Sequence, residues 1–412
     1  MATICLVTPG HLGSNPRIVK EADALSNQGH QVHVVYAQTH RRDLDRDASI
    51  LVNAGWQAHP VSGFAGSMGH RLRRLRQVVA DAGSRLCPRS VRLATTAQHP
   101  LASRLFRAAS AIKADLYIAH YVAALPAAAH AARSHGNRYA FDAEDFHLGE
   151  WPNSPAYDHQ RQITRAIEAA FLRGCRYVSA ASPGIADAYH ASYGISRPAV
   201  VRNVFPLNHA PEGPTPRGTA EPGPSVYWFS QTIGADRGLE GAVRAIALAK
   251  SKPHLYLRGF ISLEFRQSLE LLASSQGVAD QLHLLPPALP DEMERLASAY
   301  DLGLVAETGQ TLNRRIALTN KLFTFALAGV PAVISDISAH SNYAQHAGNS
   351  VRLFRADDAA SLAASIDSLL LGDGQALKQA RFAAFQLGQE QLNWQVEQAV
   401  FFQRVADALI PA

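Results

Sequence analysis

The stretch 318–335 constrains the fold most, because it predicts a short helix that leads directly into a buried strand. The residues after Thr319 are apolar nearly all round, as in a helix packed inside a domain. Gly329 and Pro331 predict the end of the helix, and 332–334 suit a parallel strand with both faces covered. A helix in this tight succession with a buried strand is typical of α/β domains.

Lys321 is the exception in this helix, because it places a positive charge in the first turn. The positive end of the helix dipole disfavours a cation there, whereas a bound anion would draw the ammonium and the free N–H groups to itself. We expect Thr319 to cap the helix with its hydroxyl. The alternative is that Lys321 extends along its stem to water.

The same alternation of strand and helix runs along the whole chain and is interrupted once, by a segment rich in Pro and Gly at 206–224. Strands are predicted at 3–7, 30–36, 115–119, 138–141, 176–179 and 198–203, and again at 226–229, 255–257, 282–284, 302–305 and 332–334. We therefore predict an α/β protein of two doubly wound, Rossmann-like domains that face a cleft. The predicted limits are 1–205 and 225–385, with 206–224 as the linker.

Composition excludes several classes of function. A net charge of +5 over 412 residues suits an anionic ligand or lipid surface and does not indicate nucleic acid. Cys5, Cys87 and Cys175 form neither a disulfide framework nor a CxxC metal pattern, which favours a reducing compartment. With no signal peptide expected and no apolar run of about 18 residues, we expect a cytoplasmic protein, at most in contact with the inner face of the membrane.

Polar residues follow several strands of the first half, where ligands bind in such folds. They are Gly13, Ser14, Asn15 and Arg17 after the first strand, His120 after 115–119, and Asp142, Glu144 and Asp145 after 138–141. Any one of them taken singly is more often structural. Together on successive strand ends they predict a ligand site.

In the second half, Arg237 and Lys321 both lie where a helix is predicted to begin. Two helix N-termini and two cations predict a diphosphate site. Neither GxxxxGK[ST] nor GxGxxG is present, so the diphosphate should belong to a ligand held between domains. Glu307 follows a strand and could accept hydrogen bonds from sugar hydroxyls, or it could pair with Arg314 or Arg315 in the loop that follows.

The segment 70–107 is rich in arginine and predicts a basic amphipathic helix with Leu72, Leu75 and Val79 on one face. Such a helix can lie on an anionic membrane or meet an acidic partner. The alternative is an ordinary solvated helix face.

These motifs, in this order, resemble GT-B glycosyltransferases, and among them the retaining enzymes of glycosyltransferase family four, in the subgroup with Asn-Lys before a Gly-x-Pro turn. The matching segments are Gly13–Arg17 with Gly29–Val32, Ile118–Tyr121, Phe141–Phe146, Val200–Asn203, Arg237-Gly238, Asn320–Phe323 with Ala328–Pro331, and Trp394. The family's paired glutamates would fall at Ile316 and Thr324 in this chain, and its additional arginine at Thr232.

The resemblance implies the role of each candidate residue. His120, Arg237, Lys321 and Glu307 would be catalytic; Gly13, Thr232, Gly238, Asn313, Arg315, Thr319 and Asn320 would bind the donor; Ser14, Asn15, Arg17, Asp142, Glu144 and Asp145 would bind the acceptor. It also implies metal-independent transfer of a hexose from a UDP- or GDP-sugar, with retention. The acceptor would be a saccharide or lipid-linked saccharide in bacterial surface polysaccharide assembly, and a C-terminal helix at 386–412 would return to the first domain.

Two other functions stay open on the sequence. A nucleotide-sugar 2-epimerase of the same fold would convert the donor without an acceptor. A non-catalytic binder of sugar nucleotides would fit the missing glutamates. The sugar, the base, the acceptor and the oligomeric state leave no recognisable pattern in the chain.

Overall fold

The computed structural model describes residues 1–66, 68–214 and 223–410, which form two compact units. The first unit contains the described residues of Met1–Val201, Thr311–Asn313 and Gln398–Ala412. The second contains the described residues of Arg202–Gln310 and Arg314–Glu397. Residues 215–222 of the predicted linker lie outside the described residues. The predicted domain limits therefore stay predictions.

The first unit is built on a parallel sheet, which has seven strands in the part of the chain described, in the order β3-β2-β1-β4-β5-β6-β7. The strands are β1 (Thr3–Thr8), β2 (Gln31–Gln38), β3 (Gln57–Ser62), β4 (Leu116–His120), β5 (Arg138–Ala143), β6 (Val178–Ala180) and β7 (Ala199–Val200). The helices between them are α1 (Pro16–Asn27), α2 (Leu44–Leu51), α3 (Met68–Leu86), α4 (Val91–Gln98), α5 (Ala102–Ser110), α6 (Leu125–Ser134), α7 (Asp158–Phe171) and α8 (Pro183–Tyr193).

The second unit repeats the plan with a parallel sheet, six strands of which are described, in the order β10-β9-β8-β11-β12-β13. The strands are β8 (Ser225–Ile233), β9 (His254–Ile261), β10 (Leu282–Leu285), β11 (Leu302–Val305), β12 (Ala332–Ser335) and β13 (Val351–Phe354). Its helices are α9 (Leu239–Leu248), α10 (Leu263–Ser275), α11 (Met293–Ala297), α12 (Leu312–Ile316, which spans both units), α13 (Asn320–Leu327), α14 (Ser338–Ala347), α15 (Ala359–Leu370) and α16 (Gln375–Glu390).

The central strands are apolar along their whole length because both faces are covered by helices. Ile4, Leu6, Ile118 and Leu304 are fully buried. The predicted architecture, two doubly wound α/β domains with parallel sheets, is confirmed. In each sheet the chain first adds strands on one side of the unit's first strand and then continues on its other side, between β1 and β4 and between β8 and β11. In folds of this kind, the loops at the carboxyl ends of the strands next to that point form the ligand crevice.

The helix and strand predicted at 318–335 are α13 and β12. Gly329 ends the helix with a φ of 66°, a left-handed conformation that glycine adopts without strain. The Val330 N–H then donates to the Phe325 carbonyl and satisfies one of the free carbonyls of the last turn.

The predicted C-terminal helix at 386–412 is corrected to two helices, α16 and α17 (Trp394–Leu409). Asn393 separates them, because its amide donates to the carbonyls of Gly388 and Gln389 and its oxygen accepts from the Val396 N–H. One side chain thereby caps the end of one helix and the start of the next. Within the described residues, every helix is too short or too polar to cross a bilayer.

Candidate functional site

Lys321 and Glu307 form a largely buried ion pair in the second unit. The Lys321 Nζ lies 2.7 Å from the Glu307 Oε1, and the side chains are only 7% and 13% exposed. The ammonium also lies 5.3 Å from the centroid of the Trp228 ring, within the range of a cation–π contact. The alternatives that Lys321 extends to water and that Glu307 pairs with a loop arginine are therefore wrong.

The elements around this pair explain its position. Glu307 follows β11, Lys321 lies in the first turn of α13, and β11 and β12 are neighbours in the sheet. The Ser335 hydroxyl at the end of β12 donates to the Glu307 carbonyl at 2.7 Å. The His340 Nδ1–H donates to the Ser335 carbonyl at 3.0 Å. Sequence reasoning missed Ser335 and His340, although Ser335 directly follows the strand predicted at 332–334.

Electrostatics hold Glu307 as a carboxylate. Burial alone would raise its pKa, but Lys321, followed by Arg237 and His340, lowers it from 4.5 to about 2. Burial lowers the pKa of His340 to about 4 despite the nearby Glu307, so His340 is neutral at pH 7. The pair thus offers a fixed ammonium next to a fixed carboxylate, which is suited to a ligand with both phosphates and hydroxyls.

The ion pair predicts an acid-sensitive step in stability. Because the pKa of Glu307 is lower in the folded state, its contribution is complete above pH 4.5 and is lost as the pH falls towards 2. A shift of this size corresponds to about 3 kcal/mol. We expect the free energy of urea unfolding of the wild type to fall by about 2 to 3 kcal/mol more than that of Glu307→Gln between pH 5 and pH 2 to 3. Parallel curves for the two proteins would contradict the assignment.

Gly238 precedes α9 and allows a close approach that a side chain would prevent. Its φ is 72°, and an added Cβ would lie 2.4 Å from the Ala306 carbonyl oxygen. The predicted start of this helix at Arg237 is corrected, because α9 begins at Leu239 with Gly238 as its N-cap. The left-handed backbone at Gly238 cannot continue a right-handed helix. Thr319 likewise occupies the N-cap position of α13 but makes no side-chain cap, contrary to the prediction.

Gly238→Ala should therefore destabilise the second unit by more than the strain of placing alanine in a left-handed conformation, because the added Cβ would also clash with Ala306. Gly277→Ala is the matched control, because Gly277 has a φ of 71° and open space where a Cβ would be. We expect about 1 kcal/mol for the control and at least about 2 kcal/mol more for Gly238→Ala. Thermal unfolding of both variants measures the difference, and equal losses would show that the contact with Ala306 is unimportant.

A cavity of about 350 Å³ lies next to Gly238 in the second unit. It is lined in part by the carboxylates of Asp236, Glu240, Asp357 and Asp358, with the guanidinium of Arg244 as the opposing charge. Four carboxylates against one guanidinium would repel a diphosphate, whereas the ammonium of Lys321 would attract one.

The other predicted donor residues of the second unit are more dispersed. Thr232 and Asn320 are exposed, and the Arg315 guanidinium donates to the Gly309 carbonyl at 3.2 Å. Arg237 lies close enough to Glu307 to lower its pKa.

Asn313 belongs to the first unit. Its amide donates to the Asp145 carboxylate at 2.7 Å, and its oxygen accepts from the Phe146 N–H at 2.8 Å. The side chain is thus engaged with a residue predicted to bind the acceptor, while Asn313 itself was predicted to bind the donor.

A buried polar cluster in the first unit joins Arg17 and Asp142. The Arg17 guanidinium donates to both Asp142 oxygens at 2.6 Å and to the Val201 carbonyl at 2.7 Å. The Ser179 hydroxyl donates to the same carboxylate at 2.5 Å. Burial alone would raise the pKa of Asp142, but Arg17 and then His120 lower it. This bidentate geometry is the strong form of a charge-assisted pair.

His120 lies in the same cluster and is fully buried. Its Nε2 is 3.2 Å from Glu21, and its Nδ1 is 3.5 Å from both Asp142 and Glu144. Burial alone would lower the pKa of His120, but these acids, Glu21 first, raise it to about 10. The imidazole is therefore protonated at pH 7. Glu21 was missed by sequence reasoning, although it lies one helical turn after Arg17.

Glu21, His120 and Asp142 bring ligand atoms within 4.8 Å of one another, a spacing that could hold a metal ion. Both Asp142 oxygens already accept from the Arg17 guanidinium, however. A metal ion would have to displace the Arg17 guanidinium, so these three residues and Arg17 form an ion-pair network.

The first loop of the chain is held by a separate contact. His11 Nδ1 lies 2.7 Å from Asp47, whose other oxygen accepts from the Gly13 N–H at 3.0 Å. Ser14 and Asn15 donate to the His11 carbonyl at 2.9 Å. Gly13, Ser14 and Asn15 are thus part of one rigid loop, with Ser14 exposed and the other two buried.

Comparison with solved structures identifies the architecture. HepE of Anabaena, solved in complex with UDP and glucose, superposes with a TM-score of 0.71 at 15% identity over 98% of this chain and 100% of its own. The chain has the GT-B fold. A glycosyltransferase from Rickettsia africae gives a TM-score of 0.67 at 12% identity over 100% of this chain and 99% of its own.

Sucrose-phosphate synthase from Thermosynechococcus elongatus gives a TM-score of 0.68 at 15% identity, with 98% of each chain covered. No protein-family model and no curated protein sequence matches the chain. At such low identities the GT-B likeness describes the fold, and the chemistry has to be argued from the residues of this chain.

Proposed function

We propose that this GT-B protein is a glycosyltransferase that moves a hexose from a nucleotide-sugar, with UDP or GDP as the nucleotide, to a saccharide or lipid-linked saccharide. The observation that carries the proposal is the Lys321–Glu307 pair at the carboxyl edge of the second sheet. A fixed ammonium at a helix N-terminus suits the diphosphate, and the adjacent carboxylate suits the sugar hydroxyls. HepE, of the same fold, was solved with UDP-glucose.

In the proposed reaction, the bond between the anomeric carbon and the diphosphate oxygen breaks, and an acceptor hydroxyl oxygen bonds to that carbon. Negative charge develops on the leaving diphosphate, which takes up the hydroxyl proton. Lys321, with Arg237 close by, stabilises that charge electrostatically, so a metal ion is not required in this scheme. Glu307 would then orient the transferred sugar. Retention of the anomeric configuration and a role in surface polysaccharide assembly are further parts of the proposal, suggested by the sequence resemblance.

In the first unit, we propose that Glu144 contacts the acceptor and that His120 positions the Glu144 carboxylate. His120 is fully buried, whereas the Glu144 side chain is 13% exposed and 3.5 Å from the imidazole. Asp145, held by Asn313, would be the second acceptor contact. Ser14 and Asn15 would contribute through the loop that His11 and Asp47 hold.

The test is to incubate the purified protein with UDP- and GDP-sugars, with and without saccharide and lipid-linked acceptors, and to analyse products by mass spectrometry and NMR. A glycosylated acceptor that forms with wild type and far more slowly with Lys321→Ala would support the proposal, and the NMR coupling of its anomeric proton would report retention. Conversion of the donor to its C2 epimer without acceptor would establish the epimerase instead. Tight binding without any turnover would establish a sugar-nucleotide binder.

A further inference from the structure

Helix α3 presents an apolar stripe to solvent on the first unit. Its members recur at intervals of four, three, four and seven residues, which places them on one face of the helix. The stripe consists of Met68, Leu72, Leu75, Val79 and Leu86, which are between 52% and 85% exposed. The neighbouring Val78 is 62% exposed and widens it.

The stripe lies opposite the face that α3 packs against the protein. The buried residues of α3 are Ala80 and Ser84. At about 100° per residue, they lie roughly 140° round the helix from the stripe. A surface helix normally turns its apolar face towards the core and its polar face towards water. In α3 the outward face is apolar, so the burial it would need has to come from a partner.

The charges beside the stripe indicate which partner. Five arginines lie on α3, with Asp81 as its one acid. They are Arg71, Arg73, Arg74, Arg76 and Arg85. Arg71 and Arg74 flank one side of the stripe and Arg76 the other, so phosphates in a plane could approach both sides while the stripe enters the apolar region. A second copy docked along the same stripe would instead bring arginines opposite arginines.

We infer that α3 is a membrane-docking helix that lies in the interface of an anionic lipid bilayer, with the stripe inserted and the flanking arginines on lipid phosphates. The sequence pattern alone left a solvated face as an alternative, and a solvated face does not account for a continuous exposed apolar stripe. This inference does not depend on the proposed reaction. It would place the protein at a surface that could hold a lipid-linked acceptor.

The test is flotation of the full chain with vesicles of phosphatidylcholine alone and of phosphatidylcholine mixed with phosphatidylglycerol, without donor or acceptor. We expect binding to the anionic vesicles only, weakened by added salt. Because each arginine near an anionic surface is worth about fivefold in binding, Arg71→Gln/Arg74→Gln/Arg76→Gln should lower the partition coefficient by on the order of a hundredfold. Leu72→Gln/Leu75→Gln/Val79→Gln should lower it by at least as much.

Leu263→Gln/Leu271→Gln is the matched control. Both residues are exposed apolar side chains on α10 of the second unit, at 72% and 71%, and their replacement should leave flotation unchanged. Because the replaced residues on both helices are exposed, circular dichroism and thermal unfolding of all variants should match the wild type. Equal flotation with both vesicle types, or flotation unaffected by either α3 variant, would overturn the inference. If the wild type formed a dimer without lipid and Leu72→Gln/Leu75→Gln/Val79→Gln were a monomer, the stripe would be the contact with a second copy instead.

Discussion

Lys321→Ala is expected to lower kcat/KM for glycosyl transfer by on the order of a hundred- to a thousandfold, the loss typical when one preorganised donor to a developing charge is removed. The physical reason is that the ammonium is fixed before the substrate arrives, by Glu307 at 2.7 Å and by the Trp228 ring. A fixed charge needs no reorganisation when the diphosphate leaves. Steady-state kinetics with the donor identified by the product assay measures the loss.

The same variant also leaves Glu307 buried without its partner, so its stability has to be measured beside its activity. Lys378→Ala, which removes an exposed lysine from α16 of the same unit, is the matched control and should be indistinguishable from wild type. Lys321→Ala/Glu307→Gln should recover stability but not activity, since the unpaired carboxylate is gone while the cation is still missing. Recovery of activity in the double variant would show that Lys321 acts only as the partner of Glu307.

Asp142→Asn should be among the most destabilising substitutions in the first unit, at about 3–5 kcal/mol. The substitution leaves the Arg17 guanidinium, which is 1% exposed, without its bidentate partner and beside a protonated His120. Urea unfolding of the full chain measures the loss. Hydrogen exchange in β4 and β5 should rise and locate it in the first unit.

Asp187→Asn provides the control for that effect. Asp187 pairs with Arg197 at the same distance of 2.6 Å, but the two side chains are 63% and 49% exposed. Removal of this exposed pair should change stability by less than about 1 kcal/mol. If both substitutions cost the same, burial of the Arg17–Asp142 pair is not what stabilises the first unit.

The fold could be predicted from the sequence because its signals are local. The apolar run of β12, the apolar helix before it and Gly329 are each readable within a few residues, and the parallel sheet follows from their repetition. The position of Lys321 in the first turn of this helix could be predicted for the same reason. Its partner could not, because the choice between a loop arginine and Lys321 for Glu307 depends on the neighbouring positions of β11 and β12.

The buried cluster of the first unit shows the same limit. Arg17, His120 and Asp142 were each predicted to lie near a ligand, yet the structure uses Arg17 and Asp142 to neutralise each other out of contact with solvent. Glu21 enters the cluster from α1, and its place one helical turn after Arg17 does not by itself show that it faces His120. The positive charge of the segment 70–107 could be read from the sequence, but only the packing of α3 shows that its apolar stripe faces outward.

The most direct test of the central claim, a diphosphate site at Lys321, is isothermal titration of UDP, GDP and ADP and their sugar conjugates into wild type, Lys321→Ala and Lys378→Ala. We expect wild type and Lys378→Ala to bind the nucleotides of one base with equal affinity, and Lys321→Ala to lose at least about tenfold, since a charge-assisted hydrogen bond contributes about 1.5–3 kcal/mol. Equal binding of the nucleotide by all three proteins, or binding by none of them, would contradict the claim.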